Sequence, residues 1–199
     1  MQLVRTPLFT GARPVNSNEP VDDSAELAGV VAEREYRNPY FGFRVPFDEA
    51  WLDISDEVRA QVAQRKKDKT TESLVLLALA WRPAPAIESG ANVMFAVEKF
   101  SNAEGDLSGA DYLRRLIGQL EHHPDPPKEV KNEPKSTIAG HDFDRLALKR
   151  LWGDSEIGMT YWVAVTKGHA LVITGSYATP EGLAAIERLL ANASAQAAK

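Results

Sequence analysis

The sequence predicts an α+β fold, and two kinds of apolar periodicity indicate it. Between Ile157 and Val165 every second residue is apolar, as expected of a strand in a sheet with one buried face. Between Leu113 and Leu120 the apolar residues recur at helical spacing. The chain has 199 residues, and domains commonly span about 100 to 200 residues, so we expect one folded domain.

The chain divides into three segments. Residues 1–30 contain three prolines, two glycines and no sustained period, which predicts an irregular leader or docking arm. Residues 31–192 carry the periodic patterns and form the predicted domain. The alanine-rich residues 193–199 are expected to fray.

The first half of the domain predicts a hairpin, a helix and two strands. Asn38-Pro39 favours a turn. Pro46 ends the strand after this turn, because proline lacks the amide proton needed to continue a strand. Trp51 is expected to anchor the next loop in the core. The expected elements are extended segments 31–37 and 40–45, a short helix with Ser55 as N-cap and Val58 and Val62 one turn apart, and strands 74–81 and 92–100.

The second half predicts two further helices separated by strands. Ser108 and Asp111 have the spacing of a capping box, which starts a helix over 111–121. Thr179-Pro180 is an N-cap followed by a first-turn proline, which starts the last helix. The expected strands are residues 135–149 broken near Gly140, then 157–167 and 170–177, with Gly168-His169 as the hairpin turn between the last two.

The charge and composition exclude several function classes. The net charge of −5 argues against nucleic-acid binding, which needs a basic face for phosphate contacts. The cluster of Arg65, Lys66, Lys67 and Lys69 is interpreted as the solvated end of a helix rather than a contact for an anionic surface. The chain has no cysteine, which excludes disulfides, thiolate nucleophiles, iron–sulfur ligation and cysteine zinc sites.

The sequence predicts no transmembrane segment. No apolar run approaches the roughly 20 residues that a membrane helix needs. Arg5, Thr6 and Pro7 interrupt the apolar residues at the N-terminus, which argues against a signal peptide. We expect a soluble, cytoplasmic protein, with a place at the periphery of a membrane left open, or an extracytoplasmic protein if a signal peptide has been removed.

The sequence lacks the loops of several common active sites. It contains no Gly-x-Ser-x-Gly turn, no Gly-x-x-x-x-Gly-Lys-Ser/Thr loop and no Gly-x-Gly-x-x-Gly turn. Neighbouring His122 and His123 point about 100° apart on a helix, so they cannot chelate one ion together. They are interpreted as residues that suit the C-terminus of a helix. His169 belongs to none of these motifs. No cofactor is expected.

Other polar and aromatic residues leave alternatives open. His141, Asp142 and Asp144 have the chemistry of metal ligands or of a base, although Gly140-His141-Asp142 is more typical of a turn. Asp154 and Glu156 are another acid pair, and no pair can be preferred without knowing which acids are buried. Trp51, Trp81, Trp152 and Trp162 could form a ligand cleft or a stacking surface. Core packing is the alternative for Trp51 and Trp81, and Trp152 is the favoured exposed contact residue. No residue is assigned a catalytic, cofactor-binding or metal-binding role.

Two segments resemble the PsbP-like family. The run Tyr36-Arg-Asn-Pro-Tyr-Phe-Gly-Phe-Arg-Val-Pro-Phe-Asp-Glu-Ala-Trp51 resembles the opening of these domains, in which Asn precedes a Gly-Phe strand, Pro and Trp. The run Ile138-Ala-Gly-His-Asp-Phe-Asp-Arg145 is similar to the segment that precedes their closing hairpin. The resemblance covers residues 33–192 and implies an antiparallel sheet with helices on both faces, an α/β/α sandwich. The extrinsic photosystem II subunit and a Ran-binding nuclear-import factor share this fold.

The resemblance implies a binding function rather than catalysis. We expect a non-catalytic accessory subunit or adaptor that docks on a larger protein complex through its leader and exposed loops, such as a peripheral subunit of a photosynthetic-type membrane complex. The alternative is a small-molecule-binding or enzymatic domain with a pocket between sheet and helices. No ligand residues carry over from the family.

Overall fold

A computed structural model describes residues 27–65, 73–83, 90–99 and 107–196 of the chain. Most of the predicted leader therefore lies outside the described residues. The predicted interpretations of Lys66, Lys67 and Lys69, and those of the side chains of Arg65 and Trp152, also fall outside them.

The order of the elements agrees with the α+β prediction. The described helices are α1 (Ser55–Arg65), α2 (Gly109–Glu121) and α3 (Pro180–Ala191). The described strands are β1 (Val30–Ala32), β2 (Glu35–Asn38), β3 (Phe43–Pro46), β4 (Trp51–Asp53), β5 (Ser73–Trp81), β6 (Ala91–Lys99), β7 (Glu129–Ile138), β8 (His141–Trp152), β9 (Ser155–Thr166), β10 (His169–Tyr177) and β11 (Ser194–Ala195).

The strands of the described ranges form two antiparallel sheets. The large sheet has the order β4-β5-β6-β10-β9-β8-β7, and the small sheet has the order β1-β2-β3-β11. The edges of the large sheet are therefore β4 and β7, and β1 is an edge of the small sheet.

Helices cover both faces of the large sheet, as the resemblance implies. Neighbouring residues of a strand point to opposite faces. In β9, Trp162 packs in the cluster that contains α3 and the small sheet, whereas Tyr161 packs in the cluster under α2. In β5, Leu77 joins the α3 cluster and its neighbour Ala78 packs with α1. The fold is thus an α/β/α sandwich with α3 on one face and α1 and α2 on the other.

Two of the three predicted helix starts are confirmed by their capping hydrogen bonds. The Ser108 side chain accepts a hydrogen bond from the Asp111 amide at 3.2 Å, and the Asp111 carboxylate accepts one from the Ser108 amide at 3.1 Å. Thr179 caps α3 by accepting a hydrogen bond from the amide of Gly182. The rule that a short polar side chain satisfies the free amides of a first turn therefore locates both helices. The third predicted start is wrong: Ser55, predicted as an N-cap, is the first residue of α1, and its hydroxyl bonds Asp53 and accepts from the Ala78 amide.

Several predicted boundaries differ from the structure. The strand expected from residue 135 begins at Glu129, and Trp51, expected to anchor a loop, is the first residue of β4. The extended segment 31–37 is interrupted by a two-residue turn at Glu33-Arg34, so it forms two strands. The turn before β10 is Lys167-Gly168, and His169 is already the first residue of the strand. Within the expected tail, residues 194–195 form β11, which pairs with β3.

Candidate functional site

An open strand edge begins at β1. The turn at Glu33-Arg34 has φ values of 50° and 57°, the left-handed geometry that joins two strands through two residues. In such a hairpin Ala32 and Glu35 form the hydrogen-bonded pair, so the peptide groups of the next residue, Val31, point to the open side. All three residues of β1 are exposed, and Val30 is 64% exposed.

A second open edge is β4. The Ile54 amide donates to the Ala78 carbonyl, and the Arg82 amide donates to the Ala50 carbonyl, at 2.9 and 2.6 Å. Because bonding to β5 alternates along the strand, the peptide groups of Asp53 point away from β5. No described strand lies on that side of β4.

The two edges face each other across a cleft. One groove of about 400 Å³ is lined by residues of β1, β2, β4 and α1. A second groove of about 360 Å³ is lined by residues around β1, β4 and the segment between β3 and β4. Val31 and Asp53 line both grooves, and they are the residues whose peptide groups point out of the two edges. We call the two grooves together the β1–β4 cleft.

A backbone bond marks one end of the cleft. The Phe47 amide donates to the Arg34 carbonyl at 2.9 Å, and both residues line the second groove. The first groove begins at Val31 and continues past Asp53 to the start of α1. This bond continues the pairing of β2 with β3, so it fixes the β1–β2 turn to the segment between β3 and β4 at the second groove. The chain enters β1 at the other end.

The two grooves differ in chemistry. The first is lined by the carboxylates of Asp53, Asp56 and Glu57 and by one guanidinium, that of Arg59. Arg59 donates to the carbonyls of Val75 and Leu76 and is paired with Asp56 at 3.1 Å, so its donors are directed at the protein. The first groove is therefore acidic.

The second groove is more apolar. It includes Val31, Phe47, Trp51 and Leu52, with charged residues among its remaining lining. Trp51 is buried, as the sequence predicts, whereas Leu52 is 44% exposed. An apolar side chain entering this groove would meet aromatic and aliphatic carbon, which favours burial.

A buried polar cluster forms the wall of the acidic groove. Asn38 donates to the Leu27 carbonyl and to the Tyr36 hydroxyl, both at 2.8 Å, and accepts from the Phe41 amide at 3.0 Å. The Tyr36 hydroxyl donates to the Ala28 carbonyl at 2.8 Å. Burial raises the pKa of Tyr36 well above its usual value, against the hydrogen bond from Asn38, so this hydroxyl remains a donor at neutral pH.

Gly29 completes this wall because no other residue fits there. Its φ is +67°, and a Cβ at this position would lie 2.6 Å from the Arg37 carbonyl and 2.7 Å from the Tyr36 hydroxyl. Asn38, the Asn of the PsbP-like motif, therefore holds the start of the domain in place.

The histidines considered from the sequence lie in separate places. His122 and His123 are at the end of α2, where the Nδ1 of His122 lies 2.7 Å from the Gly118 carbonyl. His141 begins β8 and bonds the Phe41 carbonyl at 2.8 Å, so the turn is Ala139-Gly140, one residue before the predicted one. No group of three or more potential metal ligands occurs within the described ranges.

His169 is buried beside the loop between β2 and β3. Its ring makes edge contacts with Tyr40 and Phe41, at centroid distances of 5.9 and 6.2 Å. Its Nδ1 lies 2.8 Å from the Lys167 carbonyl, and Lys167 in turn reaches the Tyr40 carbonyl and ring. These contacts connect two turns and therefore have a structural role.

The acid pairs also separate, and of the tryptophans only Trp51 and Trp81 are seen together among the described side chains, opposite each other on β4 and β5. Thr137 donates to Asp142 at 2.8 Å, and Lys135 pairs with Asp144 at 3.1 Å, so each acid already has a partner from β7. Asp154 and Glu156 are exposed near the turn between β8 and β9. Trp162 is buried in the core, and Arg145 lies over its ring at 5.3 Å. The structure does not bring these candidates into one site.

Sequence reasoning missed the β1–β4 cleft. The sequence does not mark Val31 and Leu52 as site residues, because single apolar residues in short segments give no periodic signal. Val30, Val31 and Ala32 form an apolar run directly before the charged pair Glu33-Arg34, but only the pairing of β1 with β2 identifies that pair as a turn.

The geometry defines a class of fold: an antiparallel sheet covered by helices on both faces, with a small second sheet packed on the face that carries α3. No protein-family model matches the chain, and no curated protein matches it. Among solved structures it is similar to the cyanobacterial PsbP (CyanoP) of Synechocystis, with 11% identity, a TM-score of 0.50, and 92% of this chain and 99% of that chain covered. The chain therefore has the PsbP-like fold, as the sequence resemblance implies.

Two further solved structures are similar at lower TM-scores. LpqN of Mycobacterium tuberculosis, described as involved in cell envelope biogenesis, has 12% identity and a TM-score of 0.47, with 77% of this chain and 83% of that chain covered. A protein of Bacteroides thetaiotaomicron has 12% identity and a TM-score of 0.48, with 85% of this chain covered. The chain spans about half (49%) of the length of the Bacteroides protein.

The described helices are not of the membrane-crossing kind. None of those in the described ranges combines the length and the apolar character that a membrane crossing requires.

Proposed function

We propose that this chain is a non-catalytic accessory domain that binds a larger protein assembly, and that the β1–β4 cleft is its docking surface. The observation that carries the proposal is the pair of open edges lining one cleft. A strand edge with unpaired peptide groups is a ready site for an extended segment of a partner. The exposed apolar side chains of Val30, Val31 and Leu52 add contact area beside those peptide groups.

The alternative of a small-molecule or enzymatic pocket has less support. Within the described ranges, buried apolar side chains fill the space between the large sheet and its helices. The candidate histidines and acids do not converge, whereas the two grooves combine open backbone with apolar surface. That combination suits a polypeptide better than a small ligand.

The role of the leader and the location of the protein in the cell form a separate part of the proposal. A role for the leader, and a place at the periphery of a membrane complex, are supported by the resemblance of residues 36–51 and 138–145 to the PsbP-like family. Fold alone is a weak guide to a partner. Fractionation of cells into membrane and non-membrane pools tests this part independently of the docking surface.

A matched pair of variants tests the docking surface. Leu52 lines the cleft, and Leu151 lies on β8 away from it, yet each is 44% exposed. In native extracts we expect the wild-type chain and Leu151→Asp to elute well above the 21.9 kDa of the monomer. Leu52→Asp should shift to the monomer position, with at least a tenfold loss of the larger species, because a carboxylate replaces apolar contact and repels the acidic groove.

Two results would count against the proposed function. If the wild-type chain eluted as a monomer in native extract, it would not be part of a larger assembly. Equal behaviour of Leu52→Asp and Leu151→Asp, with both variants folded by circular dichroism, would move the docking surface away from the cleft.

A further inference from the structure

We propose that the β1–β4 cleft of the free chain binds the chain's own N-terminal segment, residues 3–9. This inference goes beyond the docking function, because it names what occupies the cleft before a partner arrives.

The position at which the chain enters the domain supports this occupant. Tyr36 and Asn38 hold the carbonyls of Ala28 and Leu27, and Gly29 lines the acidic groove. The described chain therefore begins two residues before Gly29, which lines the cleft. Residues 10–26 separate the proposed segment from this point, and 17 residues can span up to about 60 Å. That length is ample for the segment to turn back along β1 and β4.

The chemistry of the segment matches the cleft. Residues 3–9 read Leu-Val-Arg-Thr-Pro-Leu-Phe, and the first acidic residue of the chain is Glu19. Arg5 and Arg13 are thus the charged side chains of residues 1–18. A cation suits the groove of Asp53, Asp56 and Glu57, and the apolar side chains suit the second groove.

The other segments outside the described ranges fit less well. Residues 66–72 contain no apolar side chain. Residues 84–89 and 100–106 contain acids but no cation, and residues 197–199 are too short to fill two grooves. The N-terminal segment alone among them joins several apolar residues to a cation without an acid.

Open edges also need a cover in an isolated chain. Natural sheets protect unpaired edges with prolines, charges, bulges or an overlying segment, because bare edges pair with other chains. Val31 and Leu52 stand at the cleft as exposed apolar residues, and neither β1 nor β4 contains a proline. A segment of the same chain would supply the missing protection at no cost in translational freedom.

Disulfide trapping in the full-length chain tests the proposal. The natural chain has no cysteine, so an engineered pair has no competing thiol. We would compare Thr6→Cys with Leu52→Cys against Thr6→Cys with Leu151→Cys under mild oxidation, at protein concentrations low enough to suppress dimers. We expect the first pair to close within one chain at least fivefold faster, measured by intact mass and by non-reducing electrophoresis. Adding Arg5→Glu should slow this closure several-fold at low salt and less at high salt.

Each other outcome would overturn the proposal. Equal closure rates for the two pairs, with the melting temperature of each variant unchanged, would show that the segment does not occupy the cleft. If Thr6→Cys of one chain cross-linked preferentially to Leu52→Cys of another chain, the occupant of the cleft would be the segment of a second copy. Neither result depends on whether the chain enters a larger assembly in extracts, so the failure of this inference is distinguishable from failure of the proposed function.

Discussion

The two edges of the large sheet differ in their protection against pairing with another chain: β7 is protected and β4 is not. β7 is ten residues long and largely exposed, but Pro134 interrupts it and its register with β8 shifts between Glu133 and Ser136. Charged side chains also line this edge, with ion pairs from Lys131 to Glu133 at 2.8 Å and from Lys135 to Asp144 at 3.1 Å. β4 has three residues, no proline and the exposed Leu52.

The comparison shows that the length of an edge strand does not by itself determine whether it pairs with another chain. A long edge that lacks one amide, is bulged and bears lysines cannot easily continue a ladder into another chain. The short edge strand β4 lies next to the open edge of β1 and has no proline, bulge or lysine. The cleft between them adds apolar contact area. This difference supports placing the proposed docking surface at β4 and β1 rather than at β7.

The largest expected effect concerns the wall that shapes the cleft. Asn38→Ala removes hydrogen bonds to Leu27, Tyr36 and Phe41 in a fully buried position, leaving the Phe41 amide without this acceptor. We expect unfolding free energy to fall by about 3 kcal/mol, since each buried group left unsatisfied costs roughly 1 to 3 kcal/mol. Urea unfolding followed by fluorescence measures the change.

A matched substitution on the protected edge serves as the control for Asn38→Ala. Asn132 lies exposed on β7, and Asn132→Ala should change the free energy of unfolding by less than about 0.5 kcal/mol. If Asn38→Ala were as mild as Asn132→Ala, the polar cluster would not be what holds the wall of the cleft.

A smaller effect is expected when the protection of β7 is removed. Pro134→Val with Lys135→Val restores an amide and deletes a charge at the irregular point of the strand. We expect this double variant to self-associate at about 100 μM, by sedimentation velocity, at a concentration where the wild-type chain does not. The same dipeptide occurs just before β7, so Pro127→Val with Lys128→Val is the control and should keep the wild-type sedimentation profile. Association of the control alone would contradict the role given to Pro134.

The sequence predicts the parts of the fold that local chemistry determines. The alternation in β9 and the capping box of Ser108 and Asp111 specify their elements without help from distant residues, and the Asn of the PsbP-like motif pointed to the right fold. The turn at Glu33-Arg34 escaped because neither residue is a glycine or asparagine, the usual residues at positive φ. In this turn tertiary pairing overrides the local preference.

The candidate site was beyond the reach of sequence patterns for a different reason. The cleft exists because β4 ends one sheet where β1 ends the other, and edge position is a property of the strand order rather than of either segment. The sequence patterns drew attention to histidines and acids, yet the residues that line both grooves are Val31 and Asp53. Polar candidates such as His141 proved to join turns together.

The smallest expected effect lies on the protected side of the sheet, where α2 packs against β8 and β9. Hydrogen bonds from Ser108, with help from Arg114, lower the pKa of Asp111 to about 2. The unfolded chain has the ordinary value, about 3.9. A carboxylate with a depressed folded pKa stabilises the fold above the unfolded pKa, and this contribution is lost as the pH falls from about 4 towards 2.

Asp111→Asn should therefore lower the melting temperature at pH 6 by a small amount, and the gap to the wild-type chain should close as the pH falls from 4 to 2. Thermal melts at fixed ionic strength across this range measure the gap, and acids common to both chains cancel. Asp154→Asn is the control, since the Asp154 carboxylate has no hydrogen bond or ion pair among the described residues, and its gap should stay near zero. A gap for Asp111→Asn that is constant with pH would mean that the amide is simply a poorer capping residue. The charge on Asp111 would then contribute nothing to the start of α2.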